Sequence, residues 1–354
     1  MSDNILFIGS GKSYHVEKWT RKLLEEGHKV TLFTIHKPVR QFHRQLEIVH
    51  HESRVHYLVS VFRLRALIAG LGVKVVYAHS AGKYGALLSF LPHTVARILF
   101  VYGSDVYIRP KTSIFHKYIV YFVLRRADLI LSSSNAMKLH INDYFGFLPR
   151  MLVIPFGVDA AVFNSSGYSV SRRVRKIGIV KKLEYVYGID LLIEAFYRLT
   201  QLGGNQDLIL EIVGDGSQKK KLEELVRELS LENKVFFRAA IPNSEVPSIL
   251  KDFDMFVVPS RSESFGVAAV EALSIGVPTI AANVGGLSEV LEYGRAGKLC
   301  DVESSESLCD AMSIMIDDYD LRRSFSDAGL VHVRRNYDLH INYKQFLGIH
   351  NEYS

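Results

Sequence analysis

The sequence predicts an α/β protein built from two doubly wound parallel sheets, with helices covering both faces of each sheet. Short apolar runs of the kind that form buried parallel strands alternate with helical patterns along the whole chain. These runs fall into two sets, one in each half of the chain. At 354 residues the chain is too long for one ordinary hydrophobic core, and its length suits two domains.

The apolar runs also predict where the two domains divide. In the first half the predicted strands are NILFIG, KVTLFTI, VKVVYAH, RILFVYG, DLILSS and MLVIP, and in the second half RKIGIV, LILEIVG, KVFFRA, MFVVP and PTIAA. The first domain is assigned to residues 1–163 and the second to 164–335, with SSGYS at 165–169 as a hinge or linker. A C-terminal helix at about 336–354 is expected to pack back on the first domain.

Composition favours a folded protein of a reducing compartment. Charged residues make up 23% of the chain and apolar residues 48%. The two cysteines, Cys300 and Cys309, form neither a metal-site spacing nor a disulfide framework, which predicts a cytoplasmic location. The start, MSDNILFIG, reads as a first strand and not as a signal peptide. The densest apolar run, IVYFVL at 119–124, is too short to span a membrane.

Charge is divided unevenly between the two halves. Residues 1–163 contain 21 lysines and arginines against 10 aspartates and glutamates, a formal net charge of +11, whereas the rest of the chain has −5. Eleven of the 14 histidines also lie in the first part. This asymmetry predicts that an anionic partner docks on the first domain. An anionic membrane surface or a lipid diphosphate fits better than nucleic acid, because no nucleic-acid-binding motif accompanies the charge.

The segment PSRSESFGVAAVEALSIGVP at 259–278 carries the most functional information. It places a polar loop between the strand MFVVP and a helix that starts near Gly266 and stops at Gly276. Ligands bind at the carboxyl ends of strands in open α/β sheets, so Glu263 in the loop and Glu271 on the helix are candidate acceptors for sugar and ribose hydroxyls. The alternative is a pair of solvated surface glutamates. The apolar neighbours of Glu271 disfavour that alternative.

Several motifs in order resemble one enzyme family. They are GHKVTLFT, YGSDVY at 102–107, VIPFGVDAAVF at 153–163, VKKLEYVYGIDLLIEAF at 180–196, IVGDGS at 212–217, the E-x7-E block and NVGGLSEVL at 283–291. In this order and spacing they resemble the retaining glycosyltransferases of family 4, the group 1 glycosyltransferases. The resemblance implies a GT-B fold, with two Rossmann-like domains and a cleft between them. It also suggests a bacterial surface-polysaccharide type of enzyme.

The resemblance implies a role for each matching residue. Glu271 would hold the donor ribose, Glu263 the donor sugar, and the amides of residues 265–267 would orient that sugar. Lys182 would stabilise the leaving diphosphate, with help from Arg261. Asp105 of YGSDVY is the third predicted catalytic residue, beside Glu263 and Lys182; the alternative is a turn-forming aspartate that only fixes its loop. The predicted donor-binding set comprises Lys181, Gly11, Gly214, Ser264, Phe265, Gly266, Val267 and Glu271.

Two positions depart from the family pattern. The family commonly has a lysine five residues after the basic residue that matches Lys182, and this chain has Tyr187 there. Many members have a histidine before the GSD of YGSDVY, where this chain has Tyr102. His79 and His15, at predicted strand ends, are alternative polar groups, although a lone histidine is usually structural. Both departures bear on activity and donor choice.

No cofactor and no metal site are expected. The sequence has neither an HExxH motif nor paired CxxC units. Helix N-termini and lysines can supply the counter-charge of a diphosphate. Gly285–Gly286, before a helix predicted to begin near Ser288, is a second such anion site; the alternative is a plain αβ loop. The GSGKS segment at 9–13 is not a Walker A motif, because Leu6 stands where the motif requires glycine. Gly11 therefore lies either near the ligand or in a plain tight turn.

The predicted function is transfer of a sugar, of the hexosyl type, from a nucleoside-diphosphate sugar to a hydroxyl acceptor. The expected acceptor is a lipid-linked or polysaccharide glycan in surface-polysaccharide or lipopolysaccharide synthesis, met at the inner membrane face. Two alternatives remain: a nucleotide-sugar 2-epimerase with the same fold, and a catalytically silent sugar-nucleotide binder. Peripheral attachment is expected through the segment 112–126, which combines aromatic and basic residues, unless that helix packs into the core.

Overall fold

The computed structural model describes residues 4–38, 42–51, 57–146, 149–203 and 207–354. They form two compact units, one comprising Met1–Pro155 with Tyr343–Ser354 and the other Phe156–Asn342. The sequence-based division sets the limits at 163 and 335 instead. The difference arises because Phe156 packs on Phe265, with ring centroids 5.6 Å apart, and Val158 pairs with Asp338, all within the second unit.

The first unit contains a seven-stranded parallel sheet in the order β3-β2-β1-β4-β5-β6-β7. Its strands are β1 (Asn4–Ile8), β2 (Lys29–Thr34), β3 (Glu47–His50), β4 (Val75–His79), β5 (Ala96–Phe100), β6 (Leu129–Ser132) and β7 (Met151–Val153). Its helices are α1 (Tyr14–Glu25), α2 (Tyr57–Leu71), α3 (Lys83–Ser89), α4 (Arg109–Thr112), α5 (Ile114–Arg126) and α6 (Asn135–Phe145), and a π-helical turn spans Ser104–Ile108. Crossover helices cover both faces, which explains the uninterrupted apolar character of the strands.

The last helix of the chain, α14 (Leu339–Tyr353), contributes its C-terminal part to the first unit's core. Phe346 lies between Trp19 and Tyr77, with ring centroids 5.0 and 4.8 Å away. The hydroxyl of Tyr77 hydrogen-bonds to Nδ1 of His350 at 2.9 Å. Residues far apart in sequence therefore share one aromatic cluster on one face of this sheet.

The second unit contains a six-stranded parallel sheet in the order β10-β9-β8-β11-β12-β13. Its strands are β8 (Lys176–Val180), β9 (Ile209–Val213), β10 (Val235–Arg238), β11 (Met255–Val258), β12 (Thr279–Ala282) and β13 (Lys298–Cys300). Its helices are α7 (Ile189–Gln201), α8 (Lys219–Glu228), α9 (Val246–Lys251), α10 (Val267–Ile275), α11 (Gly286–Val290), α12 (Ser305–Asp317) and α13 (Tyr319–Asn336). This is the second doubly wound sheet that the repeated β/α pattern predicts.

All predicted strands are present, and two additional strands lie at sheet edges. These are β3 and β13, the outermost strands of their sheets. The β3 residues Glu47 and His50 are exposed, and the two between them are half-buried. An edge strand buries little surface, so its sequence lacks the apolar run by which central strands are recognised.

We expect Phe346→Ala to destabilise the protein by about 3–5 kcal/mol, because it removes a fully buried aromatic side chain from the first unit's core. Phe236→Ala is the matched control, since that phenylalanine is 46% exposed in the second unit. Urea denaturation monitored by circular dichroism measures both variants. Equal midpoints for the two variants would contradict the assignment of α14 to this core.

Candidate active site

The loops that follow adjacent strands meet at the carboxyl edge of the second unit's sheet. β11 lies between β8 and β12, and β9 flanks β8 on its other side. The four connections that leave these strands contain Lys181 and Lys182, Gly214, Glu263, and Gly285. Parallel strands all end at the same edge, so residues about 80 positions apart become neighbours. The predicted donor-binding residues of the second unit lie at this edge.

Glu271 lies in the middle of α10 and is 9% exposed. The helix around it is buried from Ala269 to Ile275 and apolar on all sides apart from Glu271 and Ser274. This burial excludes the alternative of a solvated surface glutamate. Glu271 lies on the helix that follows the strand edge, where ligands bind in open α/β sheets, so it is a candidate binding residue.

Glu263 forms an ion pair with Lys181, whose Nζ lies 2.6 Å from the Glu263 carboxylate. The two side chains are 13% and 15% exposed. The same ammonium group lies 4.5 Å from the centre of the Tyr187 ring, a cation–π distance. Tyr187, which stands where the resembled family has a lysine, therefore holds a neighbouring lysine in place. The backbone carbonyl of Glu263 also accepts a hydrogen bond from Gly286 N at 3.1 Å.

Lys182 is exposed, in contrast to Lys181. Its charge contributes to a lowered pKa of Glu184, after the hydrogen bonds that the Ser217 side chain and backbone donate to that carboxylate. The two consecutive lysines thus have different environments. Lys181 is bound to Glu263, and Lys182 presents its ammonium group to solvent.

Gly214 permits a close approach between the loops that follow β8 and β9. A Cβ atom at this position would lie 1.9 Å from the carbonyl oxygen of Lys181. Backbone hydrogen bonds join the same loops, from Lys181 N to Val213 O at 3.0 Å and from Leu183 N to Asp215 O at 3.0 Å. No side chain fits at Gly214, and the lysine-bearing loop rests directly on the backbone.

Arg261 is engaged in contacts that the sequence did not predict. Its guanidinium donates to both carboxylate oxygens of Asp190, at 2.8 and 2.7 Å, and stacks on Tyr185 at 3.9 Å. Burial opposes ionisation of Asp190, but these hydrogen bonds outweigh it and the pKa of Asp190 is lowered. A further contact reaches Glu303 at 3.1 Å. Arg261 thus clamps the loop to α7, and the suggested assistance to a diphosphate is not supported.

The segment 264–267 presents backbone rather than side chains. Phe265 is 2% exposed and packs edge-on against Phe156 and Tyr337, at 5.6 and 5.4 Å between ring centroids. Gly266 adopts φ +104° at the N-cap of α10, a conformation that favours glycine. Ser264 is half-buried next to Glu263. The first amides of α10 have no partners within the helix and suit an electronegative ligand atom.

Asp105 in the first unit is 5% exposed, and both of its carboxylate oxygens accept hydrogen bonds from backbone amides. One oxygen accepts from Tyr102 N at 3.1 Å and Gly103 N at 2.9 Å, and the other from Ala81 N at 2.8 Å. These contacts join the loops after β4 and β5. The geometry matches the loop-fixing alternative, so Asp105 is better described as a positioning residue than as a catalytic one.

Tyr102 belongs to a stack of aromatic and imidazole rings at the same edge of the first unit. Its hydroxyl contacts Nδ1 of His79, and its ring stacks on His15 at 5.2 Å. Burial, and then the charge of His15, lowers the pKa of His79 to about 3, and burial raises the pKa of Tyr102. Both groups are neutral near pH 7, and one hydrogen bond joins the tyrosine hydroxyl to the imidazole. Gly11, in the turn after β1, donates its N–H to Thr34 Oγ1 at 3.1 Å.

Two family models match consecutive parts of the chain. The model described as glycosyl transferases group 1 matches residues 170–331, which include the E-x7-E block and the lysine-bearing loop. The model described as glycosyl transferase 4-like matches residues 4–134. The chain belongs to the group 1 glycosyltransferases. This confirms the family that the motif order predicts, at the level of a GT-B, family-4-like enzyme.

Relatives of this group 1 glycosyltransferase include an uncharacterized glycosyltransferase of Methanocaldococcus jannaschii, 26% identical over 91% of this chain and 89% of its own length. D-inositol 3-phosphate glycosyltransferase of Corynebacterium urealyticum is 26% identical over 69% of this chain, and the match spans 61% of that protein.

Among solved structures, sucrose-phosphate synthase of Thermosynechococcus elongatus has a TM-score of 0.83 at 17% identity, covering 99% of this chain and 98% of its own. Anabaena HepE, solved with UDP and glucose, has a TM-score of 0.81 at 19% identity, covering 99% and 100%. These similarities confirm two Rossmann-like domains of the GT-B type.

Carboxylate pairs that could suggest a cation site have structural partners in this glycosyltransferase. In the Asp-Phe-Asp triplet, Asp254 accepts from the backbone of Arg175 and Lys176 at 2.8 and 2.9 Å, and Asp252 pairs with the Lys176 side chain. In the Asp-Tyr-Asp triplet, Asp318 caps α13. No group of three or more potential metal ligands lies together within the described ranges.

The role of Lys181 was underestimated from sequence. The family pattern directed attention to Lys182, and two adjacent lysines cannot be distinguished by spacing alone. The usable signal was the aromatic residue at 187, which suggests that a cation lies nearby. The structure brings together Glu263, Lys181, Gly214 and the α10 N-terminus in the second unit, and Asp105 with Tyr102 in the first.

We expect Gly214→Ala to destabilise the second unit and to displace the loop that bears Lys181, because the added Cβ would clash with a backbone carbonyl. The expected loss is about 1–3 kcal/mol, the usual cost of overpacking. Gly203→Ala is the control, since a Cβ there meets nothing within 4 Å. Thermal unfolding measures both. A Gly214→Ala protein as stable as the control would contradict the close approach.

Proposed function

We propose that this group 1 glycosyltransferase is a retaining hexosyltransferase that uses a nucleoside-diphosphate sugar as donor. The observation that carries the proposal is the placement of the two glutamates of the E-x7-E block. Glu271 is buried in an apolar helix, and Glu263 is held at the strand edge by Lys181. HepE, which shares the fold, has been solved with UDP-glucose, and this supports a nucleotide-sugar donor.

In the proposed donor complex, each group meets the part of the donor that its chemistry suits. The Glu271 carboxylate accepts from the ribose hydroxyls, and Glu263 accepts from the donor sugar. The amides of residues 265–267 orient that sugar. Lys182 neutralises the charge that develops on the diphosphate as the anomeric carbon–oxygen bond breaks. Lys181 fixes the direction of the Glu263 carboxylate and keeps its predicted place beside the donor.

The proposed acceptor is a lipid-linked or polysaccharide glycan that binds the first unit. The first 163 residues carry a net charge of +11, which favours anionic acceptors. WaaG, described as a glycosyltransferase involved in lipopolysaccharide biosynthesis, has a TM-score of 0.75 at 14% identity, which is a similarity of fold. In this proposal Asp105 keeps the loops after β4 and β5 in register for the acceptor.

Replacing the donor-site residues should separate binding from turnover. We expect Glu271→Gln to weaken donor binding about 10- to 100-fold, since hydrogen bonds to charged groups contribute roughly 1.5–3 kcal/mol. Glu263→Gln should mainly lower kcat, and Lys182→Ala should lower kcat/KM about 10- to 100-fold. Glu232→Gln, an exposed glutamate of the same unit, is the control. Titration calorimetry with a panel of nucleotide sugars gives Kd, and nucleotide release gives the rates.

The reaction products test the retaining mechanism and the 2-epimerase alternative. Proton NMR of the product reports whether the anomeric configuration of the donor sugar is kept, as a retaining enzyme requires. An inverted product would contradict the retaining mechanism. Epimerised donor in the absence of an acceptor would favour the 2-epimerase alternative. Unchanged donor affinity in Glu271→Gln and Lys182→Ala would show that the donor binds elsewhere.

We also propose that the first unit attaches to an anionic membrane surface through α5, at the cytoplasmic face of the inner membrane. One side of α5 packs inward with Val120, Val123 and Leu124, whereas the opposite side exposes apolar side chains. The exposed fractions are 68% for Phe115 and 66% for Tyr118. A helix packed only into the core does not explain this second apolar face.

The exposed face of α5 continues onto neighbouring elements. Phe122 lies 6.2 Å from the ring of Phe90, which is 41% exposed. Arg65 of α2 donates to the backbone carbonyl of Phe90, and Arg125 extends from α5. Aromatic groups flanked by basic side chains suit the interface of an anionic bilayer. Within the described residues, no helix combines the length and the apolar character needed to cross a membrane.

Vesicle sedimentation tests this attachment. The protein should bind anionic vesicles at low salt and be released at high salt, because each basic residue near the surface contributes about 1 kcal/mol that salt screens. The double variant Phe115→Ser with Tyr118→Ser should lose most of this binding. Phe236→Ser is the control, since it also removes an exposed aromatic residue but lies in the second unit. Equal binding of both variants, or equal binding to neutral vesicles, would contradict the proposal.

A further inference from the structure

Basic side chains from the connections that follow three adjacent strands converge at the carboxyl edge of the first unit's sheet. Lys12 lies in the turn after β1, His36 follows β2, and Lys83 begins α3 after β4. These three strands are adjacent, in the order β2-β1-β4. Desolvation lowers the pKa of His36, and the charges of Lys83, Lys12 and His50 lower it further. The two ammonium groups therefore lie within electrostatic range of the His36 ring.

The loops that carry these residues are fixed to one another through Thr34 and Tyr84. Gly11 N donates to Thr34 Oγ1 at 3.1 Å, and the same hydroxyl lies 3.2 Å from the hydroxyl of Tyr84. The Tyr84 hydroxyl also bonds to Nδ1 of His36 at 2.5 Å. A Cβ on Gly11 would lie 2.9 Å from Cα of Pro38, so the turns after β1 and β2 are in contact. The basic groups are thus held on a preorganised frame.

A third cationic group besides the two lysines, Arg109, reaches the same edge from the start of α4. A Cβ on Gly82, the residue before Lys83, would lie 3.2 Å from Nη1 of Arg109. Nε of Arg109 is buried and has no hydrogen-bond partner among the described residues. An arginine with buried, unsatisfied hydrogen-bonding capacity is a poor structural element, because an unmade bond costs free energy. It is better explained as one side of a ligand site.

We propose that Lys12, His36, Lys83 and Arg109 form a binding site for a phosphate group, and that the acceptor of this glycosyltransferase carries that phosphate. The second part rests on the proposed function. A guanidinium binds phosphate through two parallel N–H groups, and lysines add point charges. Like charges held together repel one another in the free protein, and a dianion relieves that repulsion. The phosphate belongs either to a soluble sugar phosphate or to the head group of a lipid-linked acceptor.

Binding of inorganic phosphate to the full-length chain tests the site by itself. The measurements use a Lys181→Ala, Lys182→Ala background, which removes the lysines of the donor site from the result. Titration calorimetry at constant ionic strength, with chloride as the background anion, gives Kd. We expect Lys83→Ala and Arg109→Ala each to raise Kd at least tenfold. Lys29→Ala is the matched control, because this exposed lysine starts β2 at the opposite edge of the same sheet. That variant should bind phosphate as the background protein does.

Two competitors then identify the source of the phosphate. A sugar 1-phosphate and a polyprenyl phosphate in detergent micelles are each titrated against bound inorganic phosphate. Displacement by the first alone indicates a soluble acceptor, and displacement by the micelles indicates a lipid-linked one. Either result supports the site, provided that Lys83→Ala and Arg109→Ala abolish the phosphate binding and Lys29→Ala does not.

The proposal fails if the background protein shows no saturable phosphate binding, or if Lys83→Ala and Arg109→Ala bind as Lys29→Ala does. This outcome is independent of the donor experiments with Glu271→Gln. If the protein binds phosphate but has no transferase activity, the anion site is supported and the claim that it binds an acceptor phosphate is contradicted. Intact sugar transfer by a protein that binds no phosphate would contradict the anion site but not the proposed transferase function.

Discussion

The close backbone contact between the loops at the sheet edge is the constraint on which the second unit's site depends. A parallel sheet brings its strand ends to one edge, but it does not by itself bring the following loops into contact. Here Gly214 lets the lysine-bearing loop rest on the neighbouring backbone, and Gly286 donates to the carbonyl of Glu263. The side chains of Lys181 and Glu263 can then meet at 2.6 Å. Glycines, which have no functional group, thus allow the loops to approach closely enough for the charged side chains of the site to meet.

Much of this arrangement could be predicted from sequence, because it depends on the periodicity of apolar residues and on the glycines and prolines that end strands and helices. The central strands, the helix after Glu263 and the burial of Glu271 all follow from apolar patterns. Side-chain direction could not be predicted in the same way. Whether Lys181 or Lys182 contacts Glu263, and whether Arg261 faces a ligand or Asp190, depends on contacts between loops that are distant in sequence. The edge strands β3 and β13 were missed because they bury too little surface to leave a clear pattern.

In the first unit, too, the direction of side chains could not be predicted from sequence. The sequence indicated a basic domain with one unusual helix, but amphipathic periodicity cannot distinguish a face that packs inward from one that is exposed. In α5 both sides are apolar, and only the fold determines which one is covered. Asp105 shows the converse case. A motif position suggested chemistry, whereas three backbone amides occupy its carboxylate.

The ion pair between Lys181 and Glu263 has a consequence for the response of the protein to ionic strength. Both side chains are largely shielded from solvent, so dissolved salt screens their attraction only weakly. This ion pair would change little between dilute and concentrated media. Exposed basic side chains of the first unit, such as Arg65 and Arg125, are open to counterions, and their attractions would fade as salt rises. The two units would therefore respond differently to a change in ionic strength.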